Sequence, residues 1–359
     1  RIENNTGKNL FASVQAEDEL AAIGMAIGAN WNGARGFTAT SGPGISLMSE
    51  FLGLAYFAEI PLVLFNVQRG GPSTGMPTRT QQSDVLACAY ASHGDTKHVV
   101  LFPSDPKECF DFSAQAFDLA DQLQTPIFVV SDLDMGMNDW VCDKFKWDDE
   151  YKYNRGKVLN KDDLDEIENF GRYLDVDNDG ICYRTYPGTH PEKGAFFTRG
   201  TSHDEYARYT EDGEVNAATL SRLMKKFRTA SELVPEPVIE INGEDSCGVI
   251  FYGSTSPAVH EAKDILKEKE INIDLMQIRS FPFNLDVWEF IANHDRIYVV
   301  EQNRDSQMRT LIMAEGGISP EILRPLVHFT GDPIQASYIV NKISEREVNY
   351  KSHINAKKR

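Results

Sequence analysis

Between residues 8 and 140, short apolar runs rich in β-branched residues recur, separated by segments long enough for a helix. That alternation leaves few folds open. Strands joined by helical crossovers lie parallel, the connections are right-handed, and helices cover both faces of the sheet. NLFASVQ, GFTATS, IPLVLFNVQ, HVVLFPS and TPIFVVS read as strands, with helices over EDELAAIGMAIGANW and ISLMSEFLGLAYFAE. SGPG, closing GFTATS, reads as a tight turn. DPKECFDFSAQAFDLADQLQ is the best-marked helix: Asp105 caps it, Pro106 takes the first helical position and Glu108 completes a capping box. The alternation returns near residue 246, where CGVIFYGS, INIDLMQIRSF, RIYVVEQN and LVHFTG read as strands and SPAVHEAKDILKEKE as a helix.

Residues 141–235 break this rhythm. They are rich in Asp, Tyr, Gly and Lys, and their apolar periodicity is poor. The expected organisation is a doubly wound α/β domain over 1–140, an irregular insertion or linker over 141–235 that closes with a helix near 215–232, a smaller α/β domain over 236–345 and a tail over 346–359. Its end, KSHINAKKR, is expected to fray. A chain of 359 residues accommodates such a division. It opens at Arg1 without methionine and reads as a fragment whose preceding residues are absent.

The charge narrows the function. A net charge of −18 argues against a nucleic-acid partner or an anionic membrane surface. An anionic substrate must then be held by locally placed arginines. No apolar run is long enough to span a bilayer. Cys88, Cys109, Cys142, Cys182 and Cys247 include no CxxC pair, so neither an iron–sulfur cluster nor a structural zinc is expected on this chain. They read as reduced thiols of a cytoplasmic protein.

Ligands of open parallel sheets bind beyond the carboxyl ends of the strands. TSGPG (40–44) and QRGGPSTG (68–75) both occupy that position, and their glycines let backbone N–H groups approach an anion. A plain turn is the competing reading of each. Arg69, at a strand end, has the planar fork that binds a carboxylate through two parallel hydrogen bonds.

EDELAAIGMAIGA, TATSGPGISLMSE, VQRGGPSTGMPTRTQQSD, GTHPEKGAFFTRGTSHDE and the later EQN resemble one family. It is the alpha subunit of the 2-oxoacid:ferredoxin oxidoreductases, most closely the 2-oxoglutarate type, and the likeness runs from residue 8 to about 345. The resemblance implies a pyrimidine-type thiamine diphosphate domain followed by a transketolase C-terminal-like domain. It implies oxidative decarboxylation of 2-oxoglutarate with CoA to succinyl-CoA and CO2, or the reverse. A beta subunit would hold the cofactor's diphosphate, Mg²⁺ and a 4Fe–4S cluster that passes electrons to ferredoxin, in a dimer of alpha–beta pairs. In thiamine enzymes a glutamate bonds to the aminopyrimidine nitrogen and favours the imino tautomer, which takes the proton from the thiazolium carbon.

Carried onto this sequence, the catalytic glutamate is Glu19 rather than Glu17. Two residues apart on a helix, the two side chains point about 200° away from each other, and only Glu19 has Ala22 three positions on and Gly28 nine positions on. Arg69 corresponds to the holder of the 2-oxoacid carboxylate, and Thr78 to a hydroxyl used in 2-oxoglutarate recognition. Arg79 is the candidate for the second carboxylate, with a plain surface arginine as the alternative. Ser41, Gly42, Ser73 and Thr74 would line the pyrimidine pocket. The family's Tyr-Pro-Ile-Thr-Pro type motif, whose threonine contacts substrate, does not occur here. Pyruvate or a branched-chain 2-oxoacid as substrate stays open, as does a non-catalytic assembly or sensing role.

DVDNDG places Asp175, Asp177 and Asp179 before Gly180, the first half of a calcium loop, and a Mg²⁺ or Ca²⁺ site there is one expectation. Tyr186 stands where the loop's bidentate glutamate would be, and an acidic turn is the other. His190 and His203 read as polar loop residues. Arg279 reads as an aid to CoA or subunit contacts, or as structural.

Overall fold

Alternate residues of a buried strand face opposite ways, and here both faces are apolar, so the first sheet requires helices on each side. The computed structural model describes residues 11–243 and 246–357. The first part runs α1 (Glu19–Trp31), β1 (Phe37–Thr40), α2 (Gly42–Leu47), α3 (Ser49–Phe57), β2 (Leu62–Gln68), α4 (Val85–Ala89), β3 (Val99–Leu101), α5 (Pro106–Leu123), β4 (Pro126–Asp132) and α6 (Leu133–Met137). α7 (Lys161–Glu166) and α8 (Gly213–Ala230) punctuate the insertion. There follow β5 (Val238–Glu240), β6 (Cys247–Tyr252), α9 (Ser256–Glu268), β7 (Ile273–Ile278), β8 (Ser280–Phe281), α10 (Leu285–Ala292), β9 (Ile297–Glu301), α11 (Gln307–Gly316), β10 (Leu323–Val327) and α12 (Ala336–Lys357).

The first sheet has the order β1-β2-β4-β3-β8 and the second β10-β9-β6-β7-β5. β1 to β4 pair in parallel, as do β6, β7, β9 and β10. Leu62, Leu64, Val100, Phe102, Phe128 and Val130 bury one face of the first sheet, and Val63, Val99, Leu101, Ile127 and Val129 bury the other under α5. The chain is therefore a doubly wound α/β domain followed by a smaller α/β domain. The first of these cores runs on into Ile250, Tyr252, Met276 and Ile278 of the second sheet. Among the described residues no helix is long and apolar enough to cross a membrane.

Several sequence expectations give way. Residues 11–15 of NLFASVQ form no strand, and its first two residues lie outside the described ones. SGPG is not a tight turn: Ser41 is the N-cap of α2, with Pro43 in the helix's first turn. The helix expected over ISLMSEFLGLAYFAE breaks into α2 and α3 at Met48. INIDLMQIRSF splits after Ile278, so that β8 leaves its own sheet and pairs antiparallel with β3 of the first. β10 precedes most of LVHFTG and contains Pro325, which an edge strand tolerates. Asp105 caps α5 as expected, at 2.7 Å from the Glu108 N–H. The Glu108 carboxylate, however, accepts from the N–H and hydroxyl of Ser104 and from Arg279 rather than closing a box on Asp105. The tail is helical through Lys357.

Irregular as it is, the insertion is fastened by buried charge. Glu59, fully buried after α3, accepts from both guanidinium nitrogens of Arg222 (2.6 and 3.0 Å) and from Lys226 Nζ (2.7 Å), both on α8. Burial works to raise the Glu59 pKa, yet Arg222 and Lys226 outweigh it and hold the carboxyl well below the usual range. Removing one member of such a cluster leaves uncompensated buried charge. Glu59→Gln is expected to cost about 3–5 kcal/mol of stability, read by urea unfolding. A depressed folded pKa means the stabilisation is fully present above the unfolded value near ~4.3 and is lost as pH falls through the folded one. Wild type should therefore lose stability on acidification more steeply than the variant.

Candidate active site

β2 delivers Gln68 and Arg69 to the carboxyl edge of the first sheet, where the 69–79 loop folds back on itself. Met76 N–H donates to Gly70 O (2.7 Å), Gly70 N–H to Arg79 O (2.8 Å), and Gly71 N–H to Gln81 Oε1 (3.0 Å). At Gly75 the φ is +47°, and a Cβ would lie 2.1 Å from Gly70 O, so only glycine closes this loop.

The loop forms one wall of an open cleft of ≈ 1040 Å³. Gly42 and Pro43 at the start of α2 form a second wall, and Asn303, Gln307 and Phe329 of the second domain a third. Arg69 lines it, half-buried, and its Nε is buried without a hydrogen-bond partner. Asp84 lines it too. Burial raises the Asp84 pKa, against the Asn66 hydrogen bond (3.1 Å) and the charge of Arg69. Gly42 sits directly on this carboxylate, since a Cβ there would fall 2.7 Å from Asp84 Oδ1.

Glu19 is the first residue of α1, half-buried, behind the N-cap Asp18 whose carboxylate accepts from Ala21 N–H at 2.8 Å. Glu17 lies before the helix and is exposed. The two glutamates therefore differ by position, not by opposite faces of one helix as the sequence reading had it. Glu19 abuts α2 as well: a Cβ at Gly44 would lie 3.1 Å from Glu19 Cγ and 1.8 Å from Thr40 Oγ1. The glycines of α2's first turn thus let Asp84, Thr40 and Glu19 pack directly against its backbone; Gly42 and Pro43 of that turn line the cleft, whereas Glu19 and Ser41 stand beside it, outside the lining. These residues fit the pyrimidine half of a thiamine cofactor. Ser41, its half-buried N-cap, spends no side-chain hydrogen bond on capping.

Of the other expected residues, Ser73 lines the cleft, whereas Thr74, Thr78 and Arg79 are exposed and outside its lining. Arg79 pairs with Asp332 (2.8 Å) at the surface, both side chains exposed, which is the surface-arginine alternative of the sequence reading. Arg279 pairs with Glu108 (2.7 Å). The calcium-loop expectation gives way as well. Asp175 accepts from the N–H groups of Asp179 and Gly180 and from Lys225, while Lys157 takes Asp177 (2.8 Å) and Asp179 (2.9 Å). Among the described residues no group of three or more metal-capable side chains converges. Two lysines and the loop's own N–H groups already occupy these carboxylates.

What sequence reasoning missed is the clasp behind the cleft. Gln82, fully buried, donates to Tyr252 O (3.2 Å) and accepts from Thr255 Oγ1 (3.2 Å) and Gln302 N–H (3.1 Å), while Asn303 Nδ2 donates to Gln82 O (3.0 Å). Glu301 accepts from Met308 and Arg309 N–H at the start of α11 and from Asn303 Nδ2. The QQSD and EQN stretches, far apart in sequence, thus meet across the domain seam. The available signal was a pair of amide-rich polar stretches, one closing β9 and one leading into α4.

Residues 3–142 match the family described as "Pyruvate flavodoxin/ferredoxin oxidoreductase, thiamine diP-bdg". The chain is 34% identical over 343 residues to the alpha subunit of 2-oxoacid:ferredoxin oxidoreductase 2 of Aeropyrum pernix, a match covering 94% of this chain and 52% of that subunit. It is 31% identical over 340 residues to 2-oxoglutarate synthase subunit KorA of Methanothermobacter marburgensis, covering 92% of this chain and 85% of the other. It superposes with TM-score 0.82 and 29% identity on the 2-oxoglutarate:ferredoxin oxidoreductase of Magnetococcus marinus, whose structure has 2-oxoglutarate, coenzyme A and succinyl-CoA bound, covering 92% of this chain and 56% of that one. The chain spans about half the length of the Aeropyrum relative.

Proposed function

This chain belongs to the family of 2-oxoacid:ferredoxin oxidoreductase alpha subunits, and from that premise we propose that it is the alpha component of a thiamine diphosphate-dependent enzyme that oxidatively decarboxylates 2-oxoglutarate with CoA. The observation that carries this reading is Arg69: a guanidinium at a strand end, in the cleft, with a buried Nε that has no partner. A carboxylate placed there satisfies it and is held in a fixed plane. Glu19 would hold the proton at the aminopyrimidine nitrogen, and the start of α2 at Gly42 and Pro43 would seat the ring, with Ser41 and Ser73 nearest to it. Bound thiamine diphosphate supplies the carbon nucleophile that a 2-oxoacid needs in order to lose CO2. Its diphosphate and Mg²⁺ sit on a beta subunit in this proposal, as does a 4Fe–4S cluster that passes electrons to ferredoxin. The assembly is a dimer of alpha–beta pairs.

A second substrate, pyruvate, is favoured by one observation: Arg79 lies outside the cleft lining and pairs with Asp332 at the surface, so that Arg304, itself paired with Asp305, is the lining's one arginine besides Arg69 for a distal carboxylate. The division of labour is tested by anaerobic viologen reduction with 2-oxoglutarate, CoA, thiamine diphosphate and Mg²⁺. Turnover is expected with the beta subunit present and not with the chain by itself; turnover by the chain by itself overturns the proposal. Gly75→Ala should move the Arg69 loop without touching a reacting group. A shift of order 1 Å at a binding residue costs roughly 10²-fold in kcat/KM, and steady-state kinetics of the assembled variant measure it.

A further inference from the structure

A second set of arginines lies away from the cleft, where the insertion meets the loop after α3. A cavity of ≈ 20 Å³ there is lined by Trp31, Glu59, Arg172, Arg184, Thr198 and neighbours. Arg172 is 3% and Arg184 4% exposed. Each keeps a buried guanidinium nitrogen with no hydrogen-bond partner, Nη1 of Arg172 and Nε of Arg184.

The charges around the cavity do not balance. Arg172 donates to the backbone carbonyl of Glu59 (3.0 Å) and forms no ion pair among the described residues. The Glu59 carboxylate is already taken by Arg222 and Lys226. On the other side, Asp121 holds Arg184 (2.7 Å), Arg155 (3.3 Å) and Arg35 (2.9 Å), the last shared with Asp118 (2.6 Å), so that two carboxylates serve three guanidinium groups. A buried guanidinium without a counter-charge is more costly than one paired with an anion, because the pair recovers part of the desolvation penalty. A water in the cavity would satisfy the free N–H groups and leave the charge excess in place. The volume admits a water-sized particle and is too small for a carboxylic acid or a phosphate.

We propose that the cavity between Arg172 and Arg184 is a binding site for a single monatomic anion of chloride size, which pins the insertion to the first domain. The site is separate from the Arg69 cleft and does not depend on the catalytic reading. Because Glu59, Ile60 and Pro61 run directly into β2, the anion also steadies the strand that carries Arg69.

The test uses the full chain at constant ionic strength, with chloride exchanged for gluconate, and a crystal grown in bromide. Chloride and bromide are expected to raise the unfolding midpoint saturably by roughly 3–6 °C, Arg172→Met to abolish that dependence, and bromide to give an anomalous peak beside Arg172 and Arg184. A midpoint indifferent to the halide, or no anomalous peak in the cavity of the wild-type crystal, overturns the proposal in favour of water. The crystal reads the wild type, so it stands even if the variant fails to fold.

Discussion

Glu19→Gln in the assembled enzyme is expected to lower kcat by roughly 10²–10⁴-fold, the range set by one positioned acid–base group. The substitution keeps the shape and the hydrogen-bonding capacity of the side chain and removes its ability to hold the ring proton. The helix itself should survive. Asp18 still caps α1 through Ala21 N–H, and Glu19 contributes at most ~1 kcal/mol through the helix dipole. Loss of turnover with the unfolding midpoint nearly unchanged is therefore the expected pattern. Glu17→Gln, ahead of the helix and exposed, should leave kcat at the wild-type value. Equal losses in the two variants would remove Glu19 from its assigned role.

Arg69→Ala is expected to reduce kcat/KM for the 2-oxoacid by an amount equivalent to about 2–5 kcal/mol, as for truncating one partner of a desolvated charge pair. The loss arises because the substrate carboxylate would enter a cleft that also contains Asp84, where the one other arginine of the lining, Arg304, is already paired with Asp305. Arg69→Lys keeps the charge but not the two-pronged geometry, so an intermediate value is expected. If the alanine variant keeps wild-type kinetics, the carboxylate is held elsewhere and the 69–79 loop is only a turn.

The strands were legible because their signal is local. LVLFNVQ and IFVVSD are buried on both faces, and continuous apolar runs of that length have few other uses. Arg69 and Glu19 were legible because their neighbouring motifs are distinctive. The rest depended on contacts between distant residues. TSGPG looks like a turn until Asp84 and Thr40 are seen pressing on its glycines, which explains why the helix there carries glycine at its first and third positions. IRSFPF continues its strand by propensity, yet Ser280 and Phe281 pair with β3 because the edge of the first sheet is open to them. DVDNDG has the spacing of a cation loop, and Lys157 and Lys225, many residues away, supply the positive charge instead. Arg79 is equally placed, in sequence, to face inward or outward, and its partner Asp332 lies 253 residues away on the second domain.

The most direct measurement is kcat/KM of the assembled complex for 2-oxoglutarate and for pyruvate, followed by CoA-dependent anaerobic reduction of a low-potential dye. The expected result is CoA-dependent reduction with 2-oxoglutarate clearly preferred. Preference for pyruvate would contradict the substrate assignment, and failure to reduce the dye with either acid would contradict the assignment of the cleft to 2-oxoacid chemistry.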